Sequence, residues 1–164
     1  MRRTLVVTLL TAAALAVPAA AGLPRVGTLV PGRSLGGIRL GSTMPAVRAA
    51  LGRRLGVCND CARPTWYFTY KPFDAHGLAV EFEHGRVVAV YTLWKPKGWR
   101  AANSLRLGAT PLQVHDRAGP LRTITCSGYT ALVADQLSSR TVYFLYNGSL
   151  WGFGLFLPNW SPCR

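Results

Sequence analysis

The chain has 164 residues, 49% hydrophobic and 15% charged, with 19 Lys and Arg against 6 Asp and Glu for a formal net charge of +13. That length allows one ordinary domain or two small units sharing a core. After the N-terminal stretch no second long apolar run follows, which sets aside a mature chain that spans a membrane.

The N-terminus reads as a cleavable secretory signal over residues 1–21. Arg2 and Arg3 give a positive start, Thr4 to Val17 is almost wholly apolar, and Pro18-Ala19-Ala20-Ala21 supplies small residues before Gly22. An apolar run of about 14 residues is short of the ~20 a bilayer-crossing helix needs. No cysteine stands at the cleavage point to carry a lipid, and the arginine pair lacks twin-arginine surroundings. The expected product is secreted or extracytoplasmic and keeps a charge of +11, since only Arg2 and Arg3 are lost. In that compartment the partners of a basic protein are envelope polymers, membrane surfaces and acidic proteins, and nucleic acid is not expected. The basic residues are scattered, 16 Arg and 3 Lys with no run longer than two, and a simple solvated basic surface also accounts for them.

Residues 22–37 form an N-terminal extension. Thr43 then offers a helix cap, Pro45 suits a first turn and Gly52 a left-handed end, which predicts a helix over 44–51 with Val47, Ala50 and Leu51 on its packed side. Cys58 and Cys61 follow. Strands are expected over Trp66 to Tyr70, Leu78 to Glu83 and Val87 to Leu93, separated by turns at Pro72 to Gly77 and His84-Gly85. Trp94, Lys95, Lys97, Trp99 and Arg100 alternate aromatic and basic character between the two halves, either as an anionic-polymer or carbohydrate contact or as a connection with its tryptophans tucked inward. Thr110, Pro111 and Gly119 predict a second helix over 111–118. Strands follow over Tyr129 to Ala134, Thr141 to Tyr146 and Leu150 to Leu157, the last two joined by the hairpin signal Asn147-Gly148.

Four cysteines in an exported chain point to two disulfides, with three possible pairings. Cys58–Cys61 with Cys126–Cys163 is preferred, because a four-residue ring is feasible and the C-terminal tail needs a tether. A thioredoxin-type pair belongs after a strand at a helix start, whereas Cys58 and Cys61 follow a helix signal and precede a strand signal. A four-cysteine zinc site shows a second close pair, which Cys126 and Cys163 do not form.

Ile38-Arg39-Leu40-Gly41-Ser42-Thr43 returns as Leu105-Arg106-Leu107-Gly108-Ala109-Thr110, and Val47 and Gly52 map onto Val114 and Gly119 at the same offset. The expected fold class is therefore α+β: two tandem repeats, 38–100 and 101–164, each a short helix followed by an antiparallel three-stranded meander packed on it. The Leu-Gly-x-Thr openings, the valines four residues after each threonine and the closing glycines resemble a family of extracytoplasmic helix-plus-antiparallel-sheet repeat proteins. That family includes the β-lactamase inhibitor protein and BamE/SmpA-type outer-membrane lipoproteins. What the resemblance implies is a non-catalytic binding scaffold that presents a broad sheet face to a partner protein.

Two-residue hairpin turns make flanking residues direct opposites on one face. That arithmetic pairs Glu83 with Arg86 and Glu81 with Val88, leaving Leu78, Val80, Phe82, Val87, Ala89, Tyr91 and Leu93 for the helix side. In the second half it pairs Tyr146 with Ser149, Phe144 with Trp151 and Val142 with Phe153, and it puts Gly152 and Gly154 on the helix side. Val142, Phe144, Tyr146, Trp151 and Phe153 are then either a partner-binding surface or a face covered by the other repeat or by Gly22 to Gly37.

A search for catalytic groups finds Asp74 with His76 in a turn and His115 beside Asp116 on the second helix, where adjacent residues do not face each other. His76 and His84 read as turn residues. There is no nucleophile elbow, no His-Glu-x-x-His and no phosphate-binding glycine loop. No cofactor or metal is expected. The expected function is a secreted, non-catalytic binding module for an extracytoplasmic protein or anionic envelope polymer; the alternative is a thiol-redox or other enzyme built on Cys58 and Cys61.

Overall fold

The computed structural model describes residues 27–58, 60–68, 77–92 and 98–164. The expected signal peptide, the start of the N-terminal extension, Asp74 and His76, and Trp94, Lys95 and Lys97 lie outside them. The chain opens with β1 (Thr28–Val30) and β2 (Ser34–Leu35), then α1 (Met44–Leu51), β3 (Leu55–Cys58), β4 (Thr65–Phe68), β5 (Leu78–Glu83) and β6 (Arg86–Thr92). After β7 (Arg100–Ala101) come α2 (Pro111–Ala118), β8 (Arg122–Cys126), β9 (Tyr129–Asp135), β10 (Arg140–Tyr146) and β11 (Ser149–Phe156). One antiparallel sheet has the order β3-β4-β5-β6-β11-β10-β9-β8, and a small second sheet has the order β2-β1-β7.

This overturns the expected fold class. The described residues are mostly β, 47% strand against 13% helix, and among them each half is a helix with four strands of one shared sheet and not a separate helix-plus-three-strand unit. In each half an outermost strand, β3 or β8, joins the meander beside the three expected strands. Both were missed for the same physical reason. They are short and paired on one side only, and each sets few apolar side chains, Leu55 in β3 and Ile124 in β8, against a core, too little alternation to announce a strand.

The two helices do lie where their termini predict. Thr43 accepts from the Ala46 amide at 3.4 Å; Thr110 accepts from Gln113 at 3.3 Å, and the Gln113 side chain returns to the Thr110 amide at 2.9 Å. Val47 and Val114 are fully buried against the sheet. The β5–β6 and β10–β11 hairpins turn at His84-Gly85 and Asn147-Gly148, all four residues having positive φ, as a type I′ turn requires.

One register feature rearranges the expected faces. In both hairpins a β-bulge follows two residue pairs from the turn. Phe82 meets Val87, but Glu81 then meets Ala89, leaving Val88 as the extra residue. Leu145 meets Leu150, but Phe144 meets Gly152 and Tyr143 meets Phe153, leaving Trp151 as the extra residue. The pairings Glu81 with Val88, Phe144 with Trp151 and Val142 with Phe153 are therefore incorrect. Because strand side chains alternate, one inserted residue moves everything beyond it to the other face. Phe153 joins the helix-side core, while Ala89, Tyr91, Gly152 and Gly154 move to the opposite face.

The helix-side core is covered by α1, α2 and the small sheet, with Leu29, Leu35 and Trp99 buried beside Phe82, Tyr143 and Phe153. The opposite face holds a second core around Tyr91, Val142, Phe144 and Phe156. A Cβ on Gly154 would run into the rings of Phe144 and Phe156, so glycine is what lets those aromatics lie flat across β11.

Candidate functional site

The C-terminal segment beyond β11 decides how much of the second face is reachable. It crosses that face as a strap: Trp160 packs on the aromatic core, and Arg164 lies 4.9 Å from the Phe156 ring centre and 5.5 Å from that of Tyr91. Arg164 binds both oxygens of the nearly buried Glu81, Nε at 2.6 Å and Nη2 at 3.1 Å. The Tyr129 hydroxyl accepts from the Arg164 amide at 2.7 Å, the Arg140 guanidinium donates to the Trp160 carbonyl at 3.1 Å, and Arg63 stacks 3.7 Å over Trp160. Cys126–Cys163 ties this strap to β8. Burial is the main reason the Tyr91 phenol titrates far above its usual range; the charge of Glu81, to which it donates at 3.1 Å, adds to the effect.

The strap and the bulge divide the aromatic set expected to bind a partner. Val142 and Phe144 are buried on the strap side, and Phe153 is buried on the helix side. Only Tyr146, 52% exposed, and the half-buried Trp151 reach solvent, as a pair 6.3 Å apart. The Trp151 Nε1–H is enclosed and donates to no acceptor among the described residues. Of the weaker set, Trp99 is buried in the helix-side core and Arg100 is exposed on β7.

Cys58 and Cys61 are joined, closing the turn between β3 and β4, with the Tyr67 hydroxyl 3.6 Å from the Cys61 sulfur. The pair sits between β3 and β4 and not at the first turn of either described helix, where a thiolate would be stabilised. His84 is exposed in its turn, and His115 and Asp116 are both exposed on α2. Among the described residues no group of three or more His, Cys, Asp or Glu converges as a metal site, and no helix is long and apolar enough to cross a membrane.

A different site was not singled out from the sequence. α1 and the β3–β4 edge enclose a groove of about 740 Å³ lined by Met44, Pro45, Arg48, Ala49, Arg53, Leu55 and Trp66. The Arg48 guanidinium lies 4.6 Å over the Trp66 ring, a cation–π contact. Arg48, Arg53 and Arg54 are exposed and form no ion pair among the described residues. The signal was present as three arginines within seven residues, but only folding brings Trp66 to them. The matching groove in the second half, about 630 Å³ between α2 and β8–β9, is lined instead by threonines, His115 and Tyr129. On the opposite face of that edge Arg122 of β8 and Arg140 of β10 are both committed to Asp135 of β9, at 3.0 and 2.6 Å. Desolvation raises the Asp135 pKa, yet the hydrogen bonds and charges of the two arginines outweigh it and hold this carboxyl below the usual aspartate value.

No protein-family model and no curated protein matches the chain in sequence. Two solved structures share the fold. One is the DUF4309-family protein YjgB of Bacillus subtilis, with a TM-score of 0.50 at 18% identity, covering 71% of this chain and 78% of that one. The other is an extracellular SCP-domain protein of Bacillus anthracis, with a TM-score of 0.53 at 10% identity; it covers 71% of this chain, which spans only 43% of that protein.

Proposed function

We propose that this chain is an extracytoplasmic, non-catalytic binding module whose partner is anionic and docks in the groove between α1 and the β3–β4 edge. The observation that carries this reading is the pair of exposed arginines, Arg48 and Arg53, which form no ion pair among the described residues and flank an apolar floor of Trp66, Leu55 and Met44. A groove that joins an apolar floor to exposed guanidinium groups, with Arg48 lying over the buried Trp66 ring, offers both area and directed charge to an anion. Two disulfides and a structural neighbour described as an extracellular protein support the compartment.

Polyphosphate and poly-L-glutamate, titrated against the full chain at low salt, test the site. Both are expected to bind, more weakly as salt rises. R48E/R53E is expected to weaken them at least about fivefold more than R106E/R117E, which makes the same charge change at exposed positions before and on α2. Equal losses from the two variants would reduce the effect to bulk charge and sink the reading. The thiol-redox alternative predicts a Cys58–Cys61 pair that cycles with a dithiol reductant and reduces a second disulfide substrate. A pair that stays oxidised, followed by mass after alkylation, excludes it.

A further inference from the structure

We infer that the occupant of this site is an extended acidic polypeptide segment that adds to β3 as a ninth strand. The inference rests on the anionic-partner reading and goes further by naming the backbone as half of the recognition.

β3 pairs only with β4, so the outward N–H and C=O groups of Leu55–Cys58 meet no backbone partner among the described residues. Such an edge is a template for another strand, and proteins usually blunt it with charge, proline or a cover. Here the edge carries Val57, 54% exposed, in register with Trp66 on β4. Charge is present beside the edge and is predominantly positive: Arg53 and Arg54 lead into β3 and Arg48 stands over Trp66, against one exposed carboxylate, Asp60, in the turn that leaves β3. Positive charge repels a second copy of this edge and attracts an acidic one, so the same arginines that prevent self-pairing select the partner.

The geometry also sets the partner's pattern. Paired residues share a face and strand side chains alternate, so Leu55, Val57 and Trp66 all lie on the helix side. An added strand would place every second side chain on that side. An apolar residue there continues the Leu55–Trp66 floor, and acidic residues two positions to either side fall near the arginines. Main-chain hydrogen bonds supply affinity and the alternate side chains supply specificity, the logic of strand addition to a sheet edge. The opposite edge, β8, offers no such match. Its Arg122 is tied to Asp135, and Cys126 at its end anchors the strap.

The test uses a fluorescein-labelled probe, fluoresceinyl-aminohexanoyl-Ser-Glu-Thr-Leu-Thr-Glu-Ser-amide, and two N-methylated forms, one methylated on the odd residues and one on the even. Backbone N–H groups alternate between the two edges of a strand, so one methylated form loses the hydrogen bonds to β3 and the other keeps them. The unmethylated probe is expected to saturate below about 1 mM. One methylated form should lose at least about tenfold while the other stays within about threefold. Amide hydrogen exchange at Leu55–Cys58 should slow on binding, and R53E/R54E, which leaves α1 and Trp66 untouched, should weaken the probe at least about fivefold. Equal behaviour of the two methylated forms, or unchanged exchange at β3, overturns strand addition. Failure of the peptide with polyphosphate still bound at Arg48 and Arg53 overturns this inference and spares the anionic-partner reading. Failure of both probes removes both.

Discussion

The two halves of the large sheet share one backbone plan and differ in what is done with its far face and its outer edge. The turns at His84-Gly85 and Asn147-Gly148 and the bulges at Val88 and Trp151 stand at matching places, so Glu81 occupies in the first half the position that Phe144 occupies in the second. Tyr91 and Gly154 correspond in the same way. The first half therefore presents a polar seat, which takes the guanidinium of Arg164, and the second an aromatic bed with a glycine gap under Phe144. One strap spans both. At the outer edges the difference runs the other way: β8 is tied to the strap by Cys126–Cys163 and its arginine is ion-paired, while the arginines beside β3 form no ion pair among the described residues. Identical strand frames yield one closed edge and one open edge because side-chain commitments, not topology, decide which is available.

The largest break in this comparison comes from F144S/W151S. Truncating a buried phenylalanine costs about 3–5 kcal/mol, and the neighbouring indole is lost with it, so the sum approaches the whole stability of a small domain, about 5–15 kcal/mol. Loss of the cooperative unfolding transition is the expected result. At the matching first-half position, E81Q removes only the charged partner of Arg164 and should cost about 1–3 kcal/mol. A folded, soluble F144S/W151S protein would show that the strap-side aromatics contribute little and return them as candidates for partner binding.

Next in size are the disulfides. Chain-entropy arguments value the cross-link between Cys126 and Cys163, 37 residues apart, at about 4 kcal/mol. For Cys58 and Cys61, three residues apart, the same arguments give about 2 kcal/mol. Denaturant unfolding of C126S/C163S against C58S/C61S measures the difference. Tyr91 gives a second readout: freeing the strap exposes its phenol and removes the main cause of its raised pKa, so its absorbance titration should move down toward the ordinary tyrosine value. Equal stability losses and an unmoved Tyr91 would mean that the strap does not depend on its disulfide.

Much of this frame is written in local sequence. Thr43 and Thr110, the prolines beside them and the closing glycines mark both helices because a cap is an interaction between residues three or four apart. His84-Gly85 and Asn147-Gly148 mark the hairpins for the same reason. The cysteine pairing is legible from ring size and from the need to hold the tail. What fails is whatever depends on a partner distant in sequence. Val88 and Trp151 carry no mark of being bulge residues, yet that single insertion sends Phe153 to one core and Tyr91 to the other. β3 and β8 lack the apolar alternation that would announce them. The groove is invisible until Arg48 and Trp66, on different elements, are stacked.

The smallest effect probes the comparison most directly. Asp135 has a folded pKa below its unfolded value of about 3.9. It therefore adds stability that is fully present above about pH 4 and is lost as pH falls through the folded pKa. The carboxylate side chain is 44% exposed, so screening limits this contribution to at most about 1 kcal/mol. D135N should flatten that acid limb, measured as the urea midpoint against pH. It should also release Arg122 at the β8 edge, while Arg140 on β10 keeps its bond to the Trp160 carbonyl. If charge pairing is what closes that edge, D135N placed in the R53E/R54E background should regain at least about threefold of the acidic peptide affinity lost at β3, with slowed amide exchange now at Arg122–Cys126. Unchanged affinity would assign the closure of β8 to the strap and its disulfide, and the two edges would then differ by covalent tether and not by charge.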